Sequence, residues 1–216
     1  MGKLIDPQRS RKAKEAREER ARRILQAAHV AFTRHPYSEV DLDAIGREAG
    51  VKQGQANFAF RSREELFMHV LRARLNEWYE LLEGRFSGEH PPATKDETAD
   101  AIARSLAEMP DLTKVLGGLH TALELHEDGM EVHRFYHYLR TRLLELADLV
   151  QRQVEGVHQW DAFDALYRGL VVAAAVHPLH RPVGNLAVDL VTEDHQVFAL
   201  DLEDEVSRAV RASLGR

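Results

Sequence analysis

The sequence predicts an all-α protein, and three observations carry that reading. Apolar residues recur at helical spacing through most of the 216 residues. Helix stops and starts punctuate the chain: an Asp cap, a Ser-x-x-Glu box, and glycines and prolines between apolar stripes. No alternating apolar–polar run is long enough for a sheet. The length suits one large domain or two small ones.

The elements follow in order. A first helix is expected over 9–34, charged in front and carrying Ile24, Ala28, Ala31 and Phe32 on its rear stripe. Pro36 disfavours helical geometry at His35 and ends it. Asp41 can cap a short helix over 42–49, with Leu42, Ile45 and Ala49 inward and Gly50 just past its end. A third helix is expected at about 52–59. Ser62 and Glu65 then form a capping box for a fourth, running to about Phe86 with Leu66, Val70, Trp78 and Leu82 inward. "SGEHPPATKDE" at 87–97 is a loop. Further helices are expected at about 96–109, 111–126, 130–155, 160–177 and 200–214. The 130–155 helix has the cleanest stripe, from Val132, Phe135 and Tyr136 to Val150 and Val154. Between Ala162 and Val176 only Asp164, Tyr167 and Arg168 carry polar groups, so this helix is expected to be buried on more than one side. The segment 178–199 is long for a plain loop and is left open.

Composition narrows the function. Cysteine is absent, which excludes disulfides and thiolate metal sites. The longest apolar run, "LVVAAAV" at 170–176, is far short of the ~18–20 residues of a membrane span. The N-terminus lacks the apolar core of a secretory signal, so a cytoplasmic protein is expected. Charge is divided unevenly. Residues 1–74 hold 16 Lys/Arg and 10 Asp/Glu, a net of +6, while residues 75–216 hold 13 and 25, a net of −12. A basic front assigns polyanion contact to the first third of the chain. Enzyme readings find no support: "HEDGMEVH" at 126–133 lacks zinc-protease spacing, and there is no nucleophile elbow or phosphate loop. His133 and His137 at i, i+4, with His120, Glu124 and His126 elsewhere, raise a metal reading, but hydrogen-bonded or solvated histidines account for them better. No metal and no cofactor is expected.

The stretch "GVKQGQANFAFRSREEL" at 50–66 points to DNA. Two short helices joined by a glycine turn and packed on a longer one match a helix-turn-helix. Lys52, Gln53, Gln55 and Asn57 are side chains of the kind that read base edges, with Phe58 beside them. Arg61 and Arg63 stand where a helix start can hold a phosphate.

At this point the sequence resembles the DNA-binding domain of TetR-type transcriptional repressors. The resemblance rests on Ile24-Leu25-x-Ala27-Ala28, Phe32, Tyr37, Ile45, Ala49-Gly50-Val51, Gly54, Phe60 and Ser62-Arg63-Glu64-Glu65-Leu66, and it covers about residues 20–67. It departs from the family at Pro36, Asp41, Lys52, Asn57 and Ala59, which changes the reading set while the scaffold stays.

The resemblance implies three parts: a basic extension at 1–20, a DNA-binding domain at 21–70, and a ligand-binding and dimerisation domain at 71–216. It implies a homodimer through about 160–177 and 200–214, with Gly169, Ala173 and Ala174 allowing close helix approach. Such a dimer binds a palindromic operator on double-stranded DNA and is released by a small-molecule effector. The effector cavity is expected beneath the 96–109 helix, with walls from Leu106, Met109, Leu112, Leu116, His120, Phe135, Tyr136, Leu139 and Tyr167, suiting a largely apolar molecule. The alternative is a helical small-molecule- or partner-binding dimer whose recognition helix no longer reads DNA.

Overall fold

A computed structural model describes residues 7–52, 60–181 and 198–215. The described residues form nine α-helices, one single-turn 3-10 helix and no strand. They divide into two compact units, Met1–Val70 and Leu71–Arg216.

The first unit is built on α1, Pro7–Arg34. Its front half is an exposed polar rod with ion pairs Arg11–Glu15, Lys14–Glu18 and Arg22–Glu19. Exposed pairs of this kind add only a few tenths of a kcal/mol each, about 0.3–0.5. Its rear half buries Ile24, Ala27, Ala28 and Phe32. The 3-10 turn Tyr37–Glu39 follows Pro36. The helix α2, Leu42–Glu48, is capped by the Asp41 carboxylate, which accepts from the N–H groups of Asp43 and Ala44. Gly50 takes φ 63°. The Val51 N–H then bonds to the Gly46 carbonyl and the Gly50 N–H to that of Arg47. That pair of bonds is a Schellman stop, and a residue with Cβ would be strained at its pivot.

The helix α3, Arg63–Phe86, gives its first two turns to this unit. There Phe67 stands edge-on to both Phe32 and Tyr37, with ring centroids 5.1 Å away in each case. Ser62 caps α3 through the Glu65 N–H. The Glu65 carboxylate reaches back to the Arg61 N–H, one residue upstream of where a standard capping box would place it.

The second unit holds the rest of α3, then α4 (Lys95–Ala107), α5 (Pro110–Leu116), α6 (Leu119–Leu125), α7 (Gly129–Gln153), α8 (Gln159–His180) and α9 (Leu202–Leu214). Thr94 and Glu97 form a full capping box at the start of α4. On α3, Trp78 is wholly buried and donates its indole N–H to Ser105 Oγ of α4 at 2.7 Å. The helix α8 packs against α4, α5, α7 and α9. A Cβ added to Gly169 would meet methyl carbons of Ile102 and Val210 at 3.4 Å, so this glycine seats α8 against α4 and α9.

Four expectations change here. The single helix expected over 111–126 is two, α5 and α6, broken at Gly117–Gly118. The helix expected to stop at 177 continues to His180 with Pro178 inside it. Gly169 and Ala173 are buried within the subunit, so their small size is used there and not towards a partner. Tyr136 is outward, 49% exposed, although it belongs to the apolar stripe of α7. The part of 178–199 that could form a further helix, residues 182–197, lies outside the described residues.

One buried polar contact joins α5 to α8. Thr113 Oγ1 and His177 Nδ1 lie 2.7 Å apart, and Thr113 also donates to the Pro110 carbonyl. Burial, then the nearby charges of Lys114 and Arg181, push the His177 imidazole down from 6.5 to about 4. The folded protein therefore keeps His177 neutral where the unfolded chain would protonate it. Between those values the unfolded state holds the extra proton, so stability falls as pH falls from about 6.5 to about 4. Thermal unfolding across this window tests it: the midpoint of His177→Gln should fall less steeply with acidity than that of the wild type.

Candidate nucleic-acid interface and ligand cavity

The expected DNA-reading residues divide into two sets. Gln53, Gln55, Asn57 and Phe58 lie outside the described residues. Lys52 is exposed and follows directly on the Schellman stop of α2. The geometry that aims the chain out of α2 is therefore defined as far as Lys52.

Arg61 is exposed, and its backbone N–H is held by Glu65. Arg63 is placed differently. Its Nε donates to Glu64 Oε1 at 3.1 Å, and its guanidinium carbon sits 4.6 Å from the centroid of the Tyr37 ring. The Tyr37 hydroxyl donates to the same Glu64 oxygen at 2.9 Å. Burial, then Glu64, raises the Tyr37 hydroxyl, which stays a donor. Burial alone would raise the Glu64 carboxyl as well. Its own N–H and the hydrogen bonds from Tyr37, Arg63 and Ser62 outweigh this and hold it below its ordinary value. Arg63 is thus braced by a carboxylate and a ring, whereas Arg61 projects from the surface. Tyr37→Phe keeps the ring and removes one donor to a charged acceptor. Urea unfolding should show a loss of about 1–2 kcal/mol.

The second unit contains a cavity of about 310 Å³. Its walls are Leu75 of α3, Leu116 of α5, Leu119, His120 and Leu123 of α6, Phe135, Tyr136 and Leu139 of α7, and Tyr167, Leu170, Val171 and Ala174 of α8. No Lys, Arg, Asp or Glu is among them. His120 pairs with Glu124 at 3.1 Å and is largely exposed, which puts it at the rim. Tyr136, Tyr167 and Val171 are each between 42% and 49% exposed, so the mouth is apolar too.

The cavity brings together Leu116, His120, Phe135, Tyr136, Leu139 and Tyr167 from the sequence reading. Leu106 and Leu112 are fully buried in the packed interior, and Met109 precedes α5 as its cap residue; none of the three lines the cavity. No wall comes from α4, so the cavity does not lie beneath the 96–109 helix as expected. Leu119 and Leu123 were missed because Gly117–Gly118 turns α6 into a new direction. Recognising that glycine pair as a break would have shown them at i, i+4 on one face.

Among the described residues no three His, Asp or Glu side chains are grouped as for a metal ion. No described helix is long and apolar enough to cross a membrane.

Two helical units, the first with a capped short helix and a glycine stop after it, are the described architecture, and the family patterns that match them define the class, a helix-turn-helix regulator of transcription. The pattern described as "Bacterial regulatory proteins, tetR family" matches residues 24–70, and "Tetracyclin repressor-like, C-terminal domain" matches residues 72–215. The chain belongs to the TetR family. No curated protein matches it in sequence. Several solved structures share its fold. FadR from Bacillus subtilis, in complex with stearoyl-CoA, is 15% identical with a TM-score of 0.55, over 89% of this chain and 96% of that one. FadR from Bacillus halodurans, a fatty acid degradation regulator, is 16% identical with a TM-score of 0.54, over 91% and 95%. A protein from Mesorhizobium loti assigned to the TetR family is 16% identical with a TM-score of 0.52, over 92% and 95%.

Proposed function

We propose that this protein is a cytoplasmic, homodimeric repressor that leaves a palindromic operator when a small apolar molecule enters the cavity of its second unit. The observation that carries this reading is the cavity itself. It is walled by Leu, Val, Ala, Phe and Tyr side chains, without a charged wall residue, in a chain whose other unit is a TetR-type DNA-binding domain.

The parts are assigned as follows. Residues 1–20 are a basic extension, 21–70 the DNA-binding domain, and 71–216 the ligand-binding and dimerisation domain. Lys52, Gln53, Gln55, Asn57 and Phe58 face the major groove, and Arg61 and Arg63 hold phosphates. The braced position of Arg63 suits a fixed phosphate contact. The exposed position of Arg61 suits an adjustable one. Dimerisation through α8 and α9 sets two reading helices about one DNA turn apart, ~34–36 Å. A ligand changes operator affinity only by binding the two states of the dimer unequally.

The walls also define the effector class. A buried carboxylate or phosphate would need a cation, and no Lys or Arg lines the cavity. The body of the effector is therefore neutral and apolar, with any polar end at the rim beside His120, Tyr136 and Tyr167. The stearoyl-CoA bound by one structural relative is a molecule with such an apolar tail.

Selection of bound sequences from random duplex DNA tests the reading, and a palindrome is the expected result. Failure to enrich any sequence at low salt favours the alternative of a helical binding dimer that does not read DNA. With an operator in hand, Gln55→Ala should relax preference at one base pair by about 1–3 kcal/mol, while Arg61→Ala should weaken all sequences alike and flatten the salt dependence. Uniform weakening by both changes would remove the groove assignment.

A further inference from the structure

The helix α1 begins well before it reaches the core of its unit. Residues 11, 12 and 14–19 are exposed, Arg20 and Ala21 are half-buried, and the first buried residue is Ile24. The part from Pro7 to Glu19 is an overhang, about 20 Å long at ~1.5 Å per residue. A solvated helix of that length is marginal by itself, and ion pairs along its surface support it.

Those pairs occupy one side. Residues 11–23 hold seven Lys/Arg and three Glu. Arg11, Lys14 and Arg22 take the three carboxylates, at 3.0, 3.8 and 2.8 Å. Lys12, Arg17, Arg20 and Arg23 are left, with no carboxylate in ion-pair reach among the described residues. At about 100° per residue these four fall inside an arc of roughly 140° that contains no carboxylate. Ala16 stands in the middle of that arc, so a surface can approach closely. Arg17, Arg20 and Arg23 follow at i, i+3 and i+6, a spacing at which like charges repel. Carboxylates interleaved here, as on the other side, would relieve that repulsion. A polyanion relieves it equally well.

Arg23 shows where this face leads. Its Nη1 lies 3.7 Å from the point that a Cβ on Gly50 would occupy. Gly50 is the pivot from which the chain leaves α2 for Lys52. The cationic side of α1 therefore adjoins the start of the reading segment. Charges on long stems, spaced along a rigid rod, suit a row of phosphates rather than particular base edges.

Resting on the regulator reading above, we infer that the carboxylate-free face of the α1 overhang lies on the sugar-phosphate backbone of the duplex that flanks the base-read site. Operator affinity then contains a part that is indifferent to base sequence, and the protected site is longer than the sequence the protein prefers.

Two triple variants of the full chain test this. K12Q/R17Q/R20Q empties the cationic face, and R11Q/K14Q/R22Q removes the same charge from the paired side. Glutamine keeps a helix propensity close to that of Lys and Arg. Each variant is titrated over a range of salt onto the selected operator and onto a random-sequence duplex, with hydroxyl-radical footprinting of the operator complex. The first triple should make the slope of log K against log salt shallower by about two to three, at ~0.9 per phosphate contact. It should weaken binding to both duplexes about tenfold or more at low salt. Its footprint should be shorter by up to about six base pairs at an end, at ~3.4 Å per base pair. The preferred sequence should not change. The second triple should keep the wild-type slope to within about one, at ~0.9 per phosphate contact, and the full footprint. If circular dichroism shows that K12Q/R17Q/R20Q has lost helix, K12A/R17A/R20A, with its higher helix propensity, takes its place.

Equal losses of slope in both triples overturn the inference, because total charge and not the face would then decide affinity. A palindrome whose slope and footprint are indifferent to the first triple also removes it, and leaves the regulator reading intact. A wild type that selects no sequence, yet binds random duplex with a slope that only the first triple reduces, removes the regulator reading and keeps the α1 contact. A wild type that binds no duplex at low salt removes both.

Discussion

The second unit depends on the close packing of α8 against α4 and α9 around Gly169, where the methyl groups of Ile102 and Val210 stand 3.4 Å from where a Cβ would be. Once that side of α8 is sunk between its neighbours, the rest of its circumference is assigned. Ala162, Ala165, Leu166 and Ala173 are enclosed. Leu170 and Ala174 turn toward the cavity, and Trp160, Tyr167 and Val171 face outward. Pro178 fits the same arrangement. It removes the N–H that would have bonded to the Ala174 carbonyl. Gly117 backs onto that carbonyl, with space for a Cβ only 3.6 Å from it.

The first unit reaches its geometry by other means. Its core is a small aromatic cluster of Phe32, Tyr37 and Phe67, and its edges are fixed by hydrogen bonds of the backbone. The Asp41 cap, the Schellman stop at Gly50 and the Ser62–Glu65 exchange each satisfy backbone groups at a helix end that would otherwise face water or remain unmade. Their shared effect is to fix where the chain leaves α2 and where it enters α3. The brace of Tyr37, Glu64 and Arg63 then ties the turn after α1 to the start of α3.

Much of this was legible from sequence because it is local. Asp41, Gly50 and Ser62 act on groups within a few residues of themselves, so spacing alone identified their roles. The stripe of α7 was legible for the same reason, apart from Tyr136. What spacing could not supply was the direction in which each stripe faces. Leu106 and Leu112 are as apolar as Leu116, yet only Leu116 borders the cavity. The difference lies in how α4 and α5 cross α8, a non-local matter. Gly169 is a parallel case: its smallness was visible, but whether a partner or the subunit's own core uses the space depends on α4 and α9. Arg63 is a third, because its bracing residue Tyr37 stands 26 positions away in the chain.

The uneven charge of the chain has an electrostatic consequence. The first third carries a surplus of cations and the remainder twice that surplus of anions. A polyanion attracts the former and repels the latter, so the two parts of the chain respond to such a partner with opposite sign, and added salt screens both effects.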